Sequence, residues 1–278
     1  MSQNILNNPT EQKTSKSHPI KISWIIPPDI QLYLSNNDLP KNHDLYDCME
    51  PSIREQLLSM SNQHHPSLLK GNLCLSSCPG KKVRLSGPVR GRASINRDLD
   101  ADLSRMKSFG ITLTVCCLDD YEMELLGAPW PKYREIAAKN DIKVLRLPMI
   151  EGSCPETIEE AQHAIHVVNN EINKGNNVLV HCRGGVGRAG LFACCWLLEN
   201  SLCNTAERAI AIVRTQRSPK AIETLRQADY IIQYAKSLKQ RSKLTEQHQT
   251  LTNTTPTMDV IRPFPKSKSQ PANSEVAS

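Results

Sequence analysis

The sequence contains no apolar run long enough to cross a bilayer. Its longest strongly apolar stretch, Ala189–Leu198, is well short of the roughly 20 residues a spanning helix needs. The opening residues, MSQNILNNPTEQKTSKSH, are polar and lack the apolar segment of a secretory signal. Charge of one sign is also missing: 34 Lys+Arg against 28 Asp+Glu leave a net charge of +6, spread along the chain. That excess is too mild to point to nucleic acid or a membrane as partner, and it suits a protein that meets anionic groups. No internal repeat is present. No Asp/His cluster has metal-ligand spacing, so a metal-dependent reaction is not expected, nor is a cofactor.

Cysteine is not scarce. The chain has ten, and without a secretory start they read as reduced thiols of the cytoplasm or nucleus. Cys116–Cys117 and Cys194–Cys195 lie inside apolar segments and are expected in the core. Cys74 and Cys78 have C-x3-C spacing, but no second ligand pair follows, so the zinc signal is weak.

Three stretches read as poorly ordered on composition: residues 1–17, residues 35–67 and residues 241–278. Between them strands alternate with helices. Strands are expected at 20–26, 72–76, 111–118, 142–147 and 177–181, and helices at 98–109, 131–139, after Pro155, at 188–200, at 204–215 and at 219–238. Asn204 with Glu207 resembles a capping box, and Ser218 with Pro219 resembles a helix start. This alternation predicts an α/β fold: one three-layer domain, a central mostly parallel sheet flanked by helices. Residues 18–240 are assigned to it, with 30–70 as a flexible insertion. Ligands in such folds bind at the carboxyl ends of the strands.

At one such end stands HCRGGVGRAG, residues 181–190. Gly184, Gly185 and Gly187 allow successive backbone N–H groups to turn inward, and a helix follows directly. Such a nest holds a tetrahedral oxyanion. The loop lacks the Gly-Lys-Ser/Thr of a nucleotide P-loop, which disfavours ATP and GTP. Instead Cys182 opens it and Arg188 closes it. A thiolate is the nucleophile, and free cysteine has a pKa of about 8.5. Lowering that by about three units takes roughly 4 kcal/mol. A helix dipole supplies at most about 2 kcal/mol, so loop N–H donors and the Arg188 charge must contribute as well. Arg183, Gly184, Gly185, Val186, Gly187 and Arg188 form the candidate phosphate-binding loop. The chemistry expected is in-line attack of Cys182 on a phosphate ester. His181 is expected to orient the loop through hydrogen bonds, not to act as a base. Taken singly, each element also fits a buried cysteine on a glycine turn.

These residues resemble the H-C-x5-R signature of the protein tyrosine phosphatase superfamily, in its dual-specificity branch. PIKISW (19–24), LCLSSCPG (73–80), RDLDADLSRMKSFGI (97–111), LPMIEGSCP (147–155) and SPKAIETLRQADYI (218–231) further resemble the cyclin-dependent kinase inhibitor 3, or kinase-associated phosphatase, family. The resemblance implies a phosphatase-type fold and hydrolysis of phosphotyrosine, phosphothreonine and phosphoserine esters through a cysteinyl-phosphate. It also implies a phosphorylated protein as partner, such as a cyclin-dependent kinase activation loop. It implies a general acid before the cysteine, and Glu151 stands where the family has Asp. Asp119 and Asp120 are the substitutes. Ala189 stands where the family often has a hydroxyl, which predicts slower breakdown of the phosphoenzyme. Gln227 falls at a family glutamine that orients the attacking water, and it reads equally as a helix-surface residue. Two rival functions stay open: a catalytically weak phosphoprotein-binding module, and a phosphoinositide phosphatase. The loop's single extra basic residue, Arg183, leans toward phosphoprotein. The basic run Lys81-Lys82-Val83-Arg84, with Arg90, Arg92 and Arg97, reads either as a contact for an acidic partner or as a solvated loop.

Overall fold

The computed structural model describes residues 11–61 and 70–253. Its main sheet has five strands: β2 (Ser23–Trp24), β3 (Leu73–Ser77), β6 (Ile111–Cys116), β7 (Lys143–Arg146) and β8 (Asn177–Cys182). The order is β2-β3-β8-β6-β7, parallel except where β2 pairs antiparallel with β3. A second sheet of three short strands joins β1 (Lys13–Thr14), β5 (Ile95–Asn96) and β4 (Lys82–Val83), in that order. The expected three-layer α/β architecture is therefore present.

β8 is the central strand. Its Val178, Leu179 and Val180 are buried on both faces, the pattern of a parallel strand covered by helices on either side. Register places Ser77 of β3 opposite Cys182, and Cys116 of β6 opposite His181. The cysteine thus leaves the sheet at its middle, where neighbouring strand ends converge.

Helices in chain order are α1 (Pro28–Leu34), α2 (Leu45–Cys48), α3 (Pro51–Ser61), α4 (Leu99–Ser108), α5 (Asp120–Leu125), α6 (Trp130–Lys139), α7 (Ile158–Ile172), α8 (Arg188–Glu199), α9 (Ala206–Gln216) and α10 (Leu225–Asn253). α7 buries Ala161, Ala164, Ile165, Val168 and Ile172, nearly the stripe its spacing predicts. Each buried Ile or Val there contributes roughly 1.5–3 kcal/mol. α8 is buried from Arg188 to Leu198, all round, because it runs through the core directly under the loop. Cys194 and Cys195 lie in that core, as expected, as do Cys116 and Cys117. Cys74 and Cys78 are buried too, their thiols directed at the carbonyls of Val178 and Pro79.

Several boundaries differ from the sequence reading. The strand expected at 20–26 pairs only at Ser23–Trp24. α7 starts at Ile158, three residues past Pro155, with Thr157 as its cap, and Thr205, not Asn204, caps α9; each hydroxyl accepts from an N–H three residues on. α10 begins at Leu225, six residues later than the Ser218-Pro219 signal suggests. The intervening residues make a tight turn in which Ile222 takes φ +64. Residues 35–61 hold two helices where composition suggested little order. Leu45, Cys48 and Leu57 are buried, and Asp44 caps α2 while pairing with Arg208 of α9. A few well-placed apolar positions and one capping box anchor a segment whose average composition is polar. His64 and His65 lie outside the described residues, as does most of the tail expected beyond 241.

Candidate active site

Cys182, Arg183, Gly184 and Arg188 line a cavity of about 470 Å³, together with Glu151, Glu223, Lys81, Val83, Arg84, Arg92 and Ile95. The loop from Arg183 to Gly187 joins β8 to α8. The N–H of Gly185 donates to Cys182 Sγ at 3.2 Å. Gly185 has φ +70, and a Cβ there would lie 2.0 Å from the Ser76 carbonyl oxygen, so only glycine fits. No side chain caps α8, whose N-cap is Gly187. Its first N–H groups remain available to an anion.

Arg217, at the end of α9, braces the loop from behind. Its Nε donates to Gly185 O at 2.9 Å, its Nη2 to Gly184 O at 3.0 Å, and its Nη1 to Lys21 O and Ser23 Oγ. With the loop carbonyls turned outward onto this guanidinium, the N–H groups face the cavity. Sequence reasoning had no signal for this residue, because the contact spans 32 positions.

Arg188 is buried and held as rigidly. Its Nη1 and Nη2 grip the carboxylate of Glu122 on α5, and Nη1 also donates to Met149 O at 2.7 Å. Burial disfavours the charge, but the Glu122 carboxylate outweighs it and holds the guanidinium charged. A guanidinium has five N–H donors. Those left over, on Nε and Nη2, lie along the other edge of the fork, a pair suited to two phosphate oxygens. Glu122 was missed from the sequence. Asp119 positions it by capping α5 and accepting from the Glu122 N–H at 2.7 Å. Asp120 pairs with Arg146 on the surface. Neither aspartate lines the cavity.

Glu151 does reach the cavity. It sits at the tip of a turn closed by Ser153 N to Ile150 O, with Gly152 at φ +77. Its carboxylate accepts from Arg183 Nη1 at 3.2 Å in an exposed pair, with side chains 62% and 54% accessible. Such pairs contribute about 0–1 kcal/mol. The turn itself is tied down by Thr224 Oγ1 donating to Gly152 O at 2.7 Å and Gln227 Nε2 donating to Ser153 O at 3.1 Å. Gln227 is therefore no surface residue. It is fully buried, and its Oε1 accepts from Glu223 N at 2.9 Å, so both ends of its amide are engaged in holding loops together. Glu223, which the sequence reading passed over, is the carboxylate beside Gly187: a Cβ on that glycine would lie 2.2 Å from Glu223 Oε2. The strained turn at Ile222 aims it there.

His181 is fully buried, with Nε2 2.9 Å from Tyr133 Oη. Burial, with Arg146 and Arg188 nearby, pulls the imidazole down to about 3. It is neutral at physiological pH and faces the core; its Nε2 is engaged with Tyr133 and its buried Nδ1 has no hydrogen-bond partner among the described residues, so the expected hydrogen bonds from this ring to the loop are not present. Arg97, from the basic run, is likewise internal. It forms a two-bonded pair with Asp102, which also accepts from Gly80 N.

The dual specificity phosphatase catalytic domain matches residues 98–237, about half of the chain. The chain belongs to that family. Among its relatives, cyclin-dependent kinase inhibitor 3 of Rattus norvegicus is 32% identical over 171 residues, covering 60% of this chain and 73% of the relative. That of Sus scrofa is 29% identical over 216 residues, covering 76% and 92%. A solved structure of kinase associated phosphatase, with its catalytic site cysteine substituted by serine, aligns with a TM-score of 0.57 at 21% identity, over 79% of this chain and 96% of that one. It shares the fold. As a dual specificity phosphatase, the protein is a phosphoric monoester hydrolase acting on phosphoproteins.

Proposed function

We propose that this phosphatase works through Cys182. The sulfur attacks phosphorus in line, the S–P bond forms, and the P–O bond to the leaving side chain breaks as Glu151 donates its proton to that oxygen. Water then attacks phosphorus, the S–P bond breaks, and the Glu151 carboxylate takes the water's proton. The charge of the three non-bridging oxygens is carried by loop N–H groups and the free edge of Arg188. The observation that carries this reading is that Cys182 and Arg188 line one cavity, with the Gly185 N–H donating to Cys182 Sγ beside it. The relatives' name, cyclin-dependent kinase inhibitor 3, supports a cyclin-dependent kinase as partner; the finer assignment, that kinase's phosphorylated activation loop as substrate, is what the family resemblance implies.

The test is hydrolysis in EDTA of an aryl phosphate and a phosphothreonine peptide by wild type, Cys182→Ser and Glu151→Gln. Cys182→Ser is expected to abolish both activities. Glu151→Gln should cost the peptide about a hundredfold or more in kcat, within the range for a lost general acid, and the aryl ester far less, because its leaving group barely needs a proton. Loss of wild-type activity in EDTA would sink the thiolate mechanism. The pairing of Glu151 with Arg183 favours one other reading, a phosphoprotein binder with weak turnover. Tight phosphopeptide binding without Cys182-dependent cleavage would establish it.

A further inference from the structure

The cavity is larger than one phosphate requires, and one of its walls has no role in the chemistry above. That wall comes from the second sheet and its hairpin: Lys81, Val83, Arg84, Arg92 and Ile95. Of the cavity's five cationic side chains, Arg188 is matched by Glu122 and Arg183 by Glu151. The other three, Lys81, Arg84 and Arg92, pair with no carboxylate among the described residues. Lys81 Nζ donates to Arg183 O at 3.0 Å, and Arg84 donates through Nε and Nη2 to Ala93 O at 3.0 and 2.9 Å. Burial pulls the Lys81 ammonium down, and Arg183 and Arg84 add to the effect. Lys81 and Arg84 are half-buried and Arg92 is exposed; gathering cations of one sign around a cavity costs free energy unless something anionic answers them.

The wall is also rigid. Arg84 is held at φ +58, a sparsely populated conformation, with its fork clamped on Ala93. Arg92 leaves a two-residue hairpin turn closed by reciprocal bonds with Val89, with Arg90 and Gly91 both at positive φ. These cations are presented in fixed places beside the loop that Cys182 opens.

We infer that Lys81, Arg84 and Arg92 form an acidic-flank subsite, and that the substrates are phosphopeptide segments with carboxylate side chains next to the phosphorylated residue. This rests on the reading that the Cys182 loop holds the scissile phosphate. Planar arginine forks match carboxylates bidentately. The choice of a peptide over an inositol polyphosphate follows from Val83 and Ile95, which stand among the cations. They offer apolar contact to peptide side-chain stems and would face only hydroxyls on a polyol ring. Glu223, near Gly187, repels a second anion there and leaves the basic wall as the place for it.

The test uses phosphothreonine peptides identical except that the flanking residues are Glu or the neutral isostere Gln. Their dissociation constants are measured on Cys182→Ser protein and their kcat/KM on wild type, so that binding preference is read even if turnover is weak. The Glu-flanked peptide is expected to bind about tenfold more tightly, and the preference should shrink as salt rises. Arg92→Gln, an exposed position, should erase most of the difference, and Arg84→Gln with it the rest. Equal affinity for the two peptides in the parent protein, or a preference untouched by both substitutions, overturns the subsite. Stronger binding of soluble inositol polyphosphate than of the Glu-flanked peptide overturns the peptide assignment. Absence of Cys182-dependent cleavage of any substrate, an aryl phosphate included, counts against the catalytic reading alone.

Discussion

Cys182 competes with other thiols for any electrophile, and burial suppresses most of them. It pushes Cys48 and Cys116 up to about 11 and Cys203 up to about 12, and it raises Cys74, Cys78, Cys117, Cys194 and Cys195 as well. Because the thiolate is the reactive form, brief treatment with hydrogen peroxide at neutral pH is expected to oxidise Cys182 before any of these. Peptide mass spectrometry reads the order, and oxidation of Cys116 or Cys117 ahead of Cys182 would refute it. Gly185 gives a second prediction at this scale. Gly185→Ala drives a Cβ into the Ser76 carbonyl at a positive φ and displaces the N–H that faces Cys182. The expected loss is about a hundredfold or more in kcat on an aryl phosphate, the scale of one missing oxyanion donor. Wild-type turnover in that variant would show that the loop does not need this backbone. Both residues are legible in the sequence, since a strand, a cysteine, glycines and an arginine are local in the chain. Glu122, Arg217 and Glu223 are not, because each meets the loop from a distant segment whose own residues carry no distinguishing pattern.

Elements hold the loop as much as residues do. β8 delivers the cysteine, α8 receives the arginine, and both were readable from hydrophobic period and turn glycines. The start of α10 was not. Ser218-Pro219 has the chemistry of a helix start, yet tertiary contacts override it. The turn through Ile222 is needed to bring Thr224 and Gln227 to the acid loop and Glu223 to Gly187. α9 contributes through the residue that caps its C-terminus, Arg217, which grips two consecutive loop carbonyls. Arg217→Met should therefore lower kcat/KM for an aryl phosphate by about tenfold or more, the scale of one or two lost hydrogen bonds to a charged group, and reduce the melting temperature. Arg217→Lys should recover little, because one ammonium cannot reproduce a planar fork across two carbonyls. Full recovery with lysine would mean that charge alone, not bracing geometry, is what α9 supplies.

At the scale of the whole molecule, the site is set into the core and shares its titration. His181, one residue before Cys182, is neutral because burial brings it down to about 3, against an ordinary 6.5. An unfolded chain protonates this histidine as pH falls below about 6.5 while the folded protein does not. The unfolded state then binds more protons, so stability falls with falling pH by about 1.4 kcal/mol per unit through this window. Carboxylates act lower down. Burial pushes the Glu171 carboxyl up, but hydrogen bonds from Lys174, Lys143 and Asn176 outweigh it and bring it down to about 2, from 4.5. Its contribution is present above that ordinary value and is lost only as pH falls beneath it. Between pH 6.5 and 4.5 the loss therefore belongs to His181. Urea unfolding across that interval should show a stability slope in the wild type that is shallower in His181→Gln, with the two converging above pH 7 apart from a constant offset. An identical slope in both would mean that the imidazole is not held neutral in the folded state. The fold places Cys182 at the end of its central, buried strand, so the same packing that keeps the loop rigid sets the acid limit of the protein.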